Sequence, residues 1–228
     1  MSAAVLKKQF ESVLGGHLDW QSRPEPDRAR SGIPEIDAAT GGLPRGCLIE
    51  IYGPASSGRT SLLLSILAEA TAREEMCALI DAEDAFAPVS AAEAGVGLGR
   101  LLWVRCSGSS HDRTGQALRA ADLLIQGGGF GVVAMDLGDL PAAATRRISL
   151  TSWFRLRRAV ENTPAVLLAL ARQSHAKTCA SMMLECRRER ETWSGARATS
   201  RLLRGTSLRA TGTNRSKACS PVFTATAI

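Results

Sequence analysis

The sequence predicts an α/β domain on a mostly parallel sheet, and three observations carry that expectation. Six short apolar runs recur along the chain, helical patterns separate several of them, and a glycine-rich turn joins the first run to the first helix. Strands alternating with helices at this spacing form βαβ units, whose crossovers make the paired strands parallel.

The strand-like runs are CLIEIYG (47–53), MCALIDAE (76–83), RLLWVRC (100–106), FGVVAMD (130–136), AVLLALA (165–171) and CASMMLEC (179–186). The helical patterns are SLLLSILAEATAREE (61–75), GQALRAADLLIQ (115–126) and LTSWFRLRRAVEN (150–162). Ahead of them, VLKKQFESVL (5–14) sets Val5, Leu6, Phe10, Val13 and Leu14 on one helical stripe. Residues 15–30 are rich in Gly, Pro and charge and read as a linker. The last 33 or so residues are rich in Ser, Thr, Ala and Gly with weak periodicity, so poor order is expected there. The division is thus 1–30, an N-terminal helix and linker; 31–191, the α/β core; and 192–228, a basic tail. At 228 residues the chain suffices for one full domain with short extensions.

No apolar run reaches the roughly 18–20 residues of a membrane span, and the N-terminus does not read as a signal peptide. The expectation is a cytoplasmic protein with no membrane partner. Cys47, Cys77, Cys106, Cys179, Cys186 and Cys219 form no CxxC pair and mostly sit in apolar runs. They read as small buried hydrophobes in a reducing compartment. His17, His111 and His175 show no ligand spacing. The formal charge is +6, and from Thr192 onward there are six basic residues and no acid, so the excess lies in the tail. Such a tail suits nucleic-acid phosphates or a solvated end.

Residues 53–60, GPASSGRT, follow a strand run and open a helical one. This is the Walker A pattern G-x-x-x-x-G-K-[ST] with one departure, Arg59 in place of Lys. In such a turn Gly53 and Gly58 let the N–H groups of Pro54's successors Ala55, Ser56 and Ser57 curl round a phosphate. The helix starting near Arg59 adds its positive end, and the Thr60 hydroxyl can ligate Mg²⁺. Arginine is longer, planar and always charged. It still pairs with phosphate, so the expectation is retained nucleotide binding with slow or absent hydrolysis. Two acids end strand runs where open α/β sheets build sites. Asp136, closing GVVAMD, has the Walker B form and would steady Mg²⁺. Glu83, near the end of MCALIDAE, is the candidate to orient an attacking water.

These residues resemble the RecA family of bacterial recombinases. The likeness lies in SGIPEIDAATGGLPRGCLIEIYGPASSGRTSLLL (31–64), MCALIDAEDAFAP (76–88), GQALRAADLL (115–124), GVVAMD (131–136) and KTCASMMLECRR (177–188). LKKQF (6–10) matches the family's N-terminal helix, which packs on a neighbouring subunit in a filament. The resemblance implies a RecA-like P-loop core, ATP and Mg²⁺ as cofactors, single-stranded DNA as partner and self-association. It implies a catalytic role for Glu83 and a γ-phosphate-sensing role for Gln173. Several positions depart from the family pattern. Beyond Arg59, Ala87 and Ser90 stand where the family holds the adenine with Asp and Tyr. Only Ser174, His175 and Ala176 separate Gln173 from Lys177, where the family has a long DNA-binding loop. The loop after Asp136 is also short. The family's C-terminal domain has no counterpart in the residues after 191.

The stretch RRISLTSWFRLRR (146–158) holds Arg146, Arg147, Arg155, Arg157 and Arg158 with Trp153 and Phe154 and no acid. Arginines with aromatics suit single-stranded DNA. Helical spacing favours an amphipathic helix with its arginines in water and both aromatics in the core. Two functional alternatives stay open. One is a non-hydrolysing adaptor that partners an error-prone polymerase or RecA in the DNA-damage (SOS) response. The other is a RadA- or KaiC-like ATPase, which shares the G-I-P…D…GGLP entry but not the IYGPxSSG and DAE pairing.

Overall fold

The computed structural model describes residues 27–138, 140–194, 202–214 and 222–227, with side chains as far as Arg188. The expected N-terminal helix at 5–14 and most of the linker lie outside the described residues.

In chain order the elements begin with β1 (Arg28–Ala29), α1 (Pro34–Thr40), β2 (Leu43–Pro44) and β3 (Cys47–Tyr52). Next come α2 (Arg59–Ala72), β4 (Cys77–Asp81), α3 (Pro88–Glu93) and β5 (Leu101–Arg105). Then follow α4 (Ser110–Gly127), β6 (Val132–Asp136), α5 (Ala142–Thr145), α6 (Leu150–Val160) and β7 (Val166–Ala171). The last are β8 (Met182–Ser194), β9 (Leu202–Asn214) and β10 (Val222–Ala227).

The main sheet has the order β10-β9-β8-β3-β7-β6-β4-β5. Its six strands from β8 to β5 are parallel. Both faces of that part are covered, which explains why its runs are almost continuously apolar instead of alternating. On one face Ile49, Ile51, Leu79, Val132, Ala134, Leu168 and Leu184 pack against Leu62, Leu63, Ile66 and Leu67 of α2. On the other, Leu48, Ile80, Val133, Met135 and Leu167 pack against Ala117, Ala121 and Ile125 of α4 and Trp153, Leu156 and Val160 of α6. Adjacent residues of one strand serve opposite faces, as the two-residue repeat requires.

Local chemistry sets the helix ends. Ser109 accepts from the Asp112 amide and the Asp112 carboxylate accepts from the Ser109 amide, closing a capping box on α4. The Ser149 hydroxyl accepts from the Ser152 amide, 3.1 Å, at the start of α6. Pro34 starts α1, and Gly41 ends it in the left-handed region.

The short α1, α3 and α5 have no counterpart among the expected elements, because helices of four to seven residues carry too little periodicity to read. Nor does the sequence pattern mark a strand past residue 191. Of that stretch, β8 runs on to Ser194, and residues 202–214 and 222–227 form β9 and β10, antiparallel to their neighbours. Thr-rich LLRGTSLRATGTN suits a strand by propensity. Residues 195–201, 215–221 and 228 lie outside the described residues.

Candidate functional site: a glycine-rich turn flanked by acids and arginines

The turn at 53–60 leaves the C-terminal end of β3, with the Gly53 amide donating to the Ala171 carbonyl at 3.2 Å. Position 53 admits no side chain. A Cβ there would run into the Cys186 carbonyl and lie 2.6 Å from Ser57 Oγ. Ser56 and Gly58 take φ of 56° and 90°. Left-handed residues of this kind curl a chain so that amides gather round an anion. The Ser56 carbonyl accepts from Arg188 Nε of β8 at 3.1 Å, tying the turn to its neighbouring strand. The Ser57 hydroxyl is buried and has no hydrogen-bond partner among the described residues, a condition a bound group would relieve. Thr60, in the first turn of α2, is exposed.

Arg59 is the first residue of α2 and is 8% exposed. Its guanidinium lies over Gly138, just past β6. A Cβ built on Gly138 would collide with Arg59 Nη1 and sit 3.0 Å from Asp136 Oδ1. The Walker-position arginine and Asp136 therefore meet at the same small space. Asp136 Oδ1 accepts from the Gly138 amide at 2.8 Å, and Arg172, just past β7, donates through Nε to the Gly138 carbonyl at 3.1 Å.

Glu83 lies two residues beyond β4, whose Asp81 is in register with Asp136. The segment carrying it is organised by Asp81, itself 3% exposed. That carboxylate accepts from the amides of Glu83, Ala85 and Phe86 and from Trp103 Nε1, at 2.9 to 3.2 Å. Phe86 packs edge-on to Trp103, with ring centroids 5.3 Å apart, and the Arg105 guanidinium lies 5.2 Å from the Trp103 ring centre. Glu83 Oε2 accepts from Arg113 Nη1 at 3.1 Å. Its Oε1, like Arg113 Nε, is buried without a partner among the described residues.

On the other side of the turn, Glu50 in mid-β3 is fully buried. It accepts from the Ser174 hydroxyl at 2.7 Å and from the amides of His175 and Ala176. It thus fixes the segment that follows Gln173, which is itself exposed. Burial lowers the His175 pKa, against the pull of Glu50. Burial pushes the Cys186 thiol up to about 12 despite nearby Arg59, so this cysteine stays protonated.

Of the other expected residues, Ala87 and Ser90 are exposed at the start of α3. Trp153 is 1% exposed and belongs to the core, whereas Phe154 is 49% exposed. This divides the aromatic pair that an amphipathic helix was expected to bury together, because 153 and 154 lie about 100° apart round the helix. Arg146, Arg147, Arg155 and Arg158 are exposed. Arg155 lies 3.7 Å from Asp122, and Arg157 lies 3.4 Å from Glu161.

The sequence reading missed Asp81, Glu50, Arg113, Arg172, Arg188 and Gly138. For Asp81 and Glu50 a signal existed, since an acid inside an apolar strand run must be satisfied when buried. For the others there was none, because only the fold brings them to the turn. No group of three or more His, Cys, Asp or Glu side chains able to hold a metal occurs among the described residues. A magnesium ion needs no such cage: one carboxylate, one hydroxyl and phosphate oxygens suffice.

The class is therefore an α/β protein with a phosphate-loop-like turn at the carboxyl end of a parallel sheet. The family model of the RecA N-terminal domain matches residues 7–147. Protein RecA of Ectopseudomonas oleovorans is 44% identical over 133 residues, covering 58% of this chain and 37% of its own length. Protein RecA of Rhodospirillum rubrum is 45% identical over 102 residues, 45% of this chain and 26% of its own. That of Teredinibacter turnerae is 41% identical over 121 residues, 53% of this chain and 34% of its own. The chain belongs to the RecA family. It matches 26% to 37% of the length of these three relatives. No helix among the described residues is long and apolar enough to cross a membrane.

Proposed function

We infer that this protein is a RecA-like factor of DNA recombination or repair that binds ATP with Mg²⁺ at residues 53–60 and engages single-stranded DNA. The observation that supports this most is the meeting of Arg59 and Asp136 above Gly138, next to a turn whose buried Ser57 hydroxyl has no partner among the described residues.

In this reading the amides of the turn and the α2 N-terminus hold phosphates. Arg59 neutralises phosphate charge, Thr60 and Asp136 hold the metal, and bound Mg²⁺ would polarise the terminal phosphate. Glu83 orients a water through Oε1 while Arg113 holds Oε2. DNA meets the exposed Arg146, Arg147 and Arg158 with Phe154 as a stacking face. Arg155 and Arg157 contribute less, being partly neutralised by Asp122 and Glu161.

Titration with a fluorescent ATP analogue in Mg²⁺, and ATP turnover with and without single-stranded DNA, test the reading. The expected result is binding, slow turnover that rises with DNA, and faster turnover for Arg59→Lys. Absence of nucleotide binding would overturn the proposal. Binding without turnover, together with capture of a polymerase or RecA, would replace the enzyme with the adaptor.

A further inference from the structure

We propose that Gly138, pinned by Asp136 and Arg172, forms a seat that lets an arginine serve at position 59, making Gly138 a positioning residue for the phosphate-binding guanidinium. This rests on the nucleotide reading above.

Glycine at 138 needs a cause, and the backbone does not supply one. Its φ lies outside the left-handed region that demands glycine, so an alanine could adopt the same conformation. The three atoms nearest a methyl placed on Gly138 would all be side-chain atoms: Arg59 Nη1, Asp136 Oδ1 and Arg59 Cζ, the last two at 3.0 and 3.1 Å. The space is therefore taken up chiefly by the arginine head.

Nor can the turn retreat easily. The Gly138 amide is held by Asp136 Oδ1 at 2.8 Å, and its carbonyl is held by Arg172 Nε at 3.1 Å. Adding a methyl must then displace the far end of Arg59, a flexible group, before it disturbs the fold. A lysine ammonium occupies the chain position of arginine Cζ, one bond short of Nη1. There it would lie about 3.1 Å from the methyl, a tight contact but not the collision that Nη1 would make. Asp136 Oδ1 remains tight in either case, so a small effect independent of residue 59 is expected.

The test is a double-mutant cycle on the full chain with Gly138→Ala and Arg59→Lys, read as the affinity for a fluorescent ATP analogue in Mg²⁺. With Arg59 present, Gly138→Ala should weaken binding by about tenfold or more, the scale of one charge-assisted contact. In the Arg59→Lys background, the same change should cost about threefold or less. Equal losses in both backgrounds, or no loss with Arg59, would overturn the seat. If no variant binds nucleotide, the nucleotide reading fails, and the seat is decided by unfolding midpoints of the same four proteins. A drop on Gly138→Ala confined to the Arg59 background supports it, and equal drops overturn it.

Discussion

The two ends of the parallel sheet treat charge in opposite ways. At the end where the strands begin, Arg45 closes on Glu75 at 2.7 and 3.1 Å, donates to the Pro164 carbonyl at 2.9 Å and lies 3.4 Å from Asp27. Arg73 adds a second cation to Glu75 at 3.3 Å. The hydrogen bond from Arg45 to Glu75 raises the guanidinium pKa still further, so the arginine stays charged. At the end where the strands finish, Ser57 Oγ, Glu83 Oε1 and Arg113 Nε are buried without partners among the described residues. A closed network stabilises a fold, while unsatisfied buried groups cost stability and are retained where a ligand can satisfy them. The difference separates an end whose charges are paired from the end where the proposed site lies.

Four substitutions sharpen or break that contrast, from the largest expected effect to the smallest. Asp81→Ala removes the acceptor of four N–H groups and should lower unfolding free energy by about 4 kcal/mol, since buried donors left unmet are costly. Denaturant titration measures it, and a loss below about 1 kcal/mol would show that the Glu83 segment does not depend on Asp81. Arg45→Ala should cost about 3 kcal/mol by leaving Glu75 short of its main partner. It should leave ATP-analogue affinity unchanged, and a large affinity loss would dissolve the distinction between the ends. Arg113→Ala should change stability by only about 1 kcal/mol, as exposed and half-buried pairs do. It should nevertheless lower the rate of ATP turnover, because the Glu83 carboxylate loses the donor that orients it. An unchanged rate would remove Arg113 from the site.

The smallest effect is at His175. Burial holds its folded pKa below the ordinary 6.5. Its neutral form therefore contributes stability that is complete above pH 6.5 and is lost as pH falls through the folded value. His175→Asn should flatten the decline in stability between neutral and mildly acid pH by less than about 1 kcal/mol. A decline equally steep in the variant would assign it to other groups.

Much of the parallel core could be read without coordinates. The runs at 47–53, 76–83, 100–106, 130–136, 165–171 and 179–186 each contain a strand or the start of one, because six continuous apolar segments have few other places to go in a covered sheet. The turn at 53–60 was legible because its glycines and the following helix are local in sequence. Its neighbours were not. Arg113 in the first turn of α4, Arg172 just past β7 and Arg188 in mid-β8 are far apart in the chain, and the sequence does not tell whether an arginine meets solvent or the turn.

By itself, then, the sequence determined the order of strands and helices in the core, the glycine-rich turn at 53–60, and the candidacy of Glu83 and Asp136. Those depend on periodicity and on residue types adjacent along the chain. Only the tertiary structure decided the placing of β7 between β3 and β6, the pairing of Glu83 with Arg113 and the meeting of Arg59 with Asp136 above a glycine. Those arise from packing between residues far apart in the chain, where each side chain's role is set by what the sheet places opposite it.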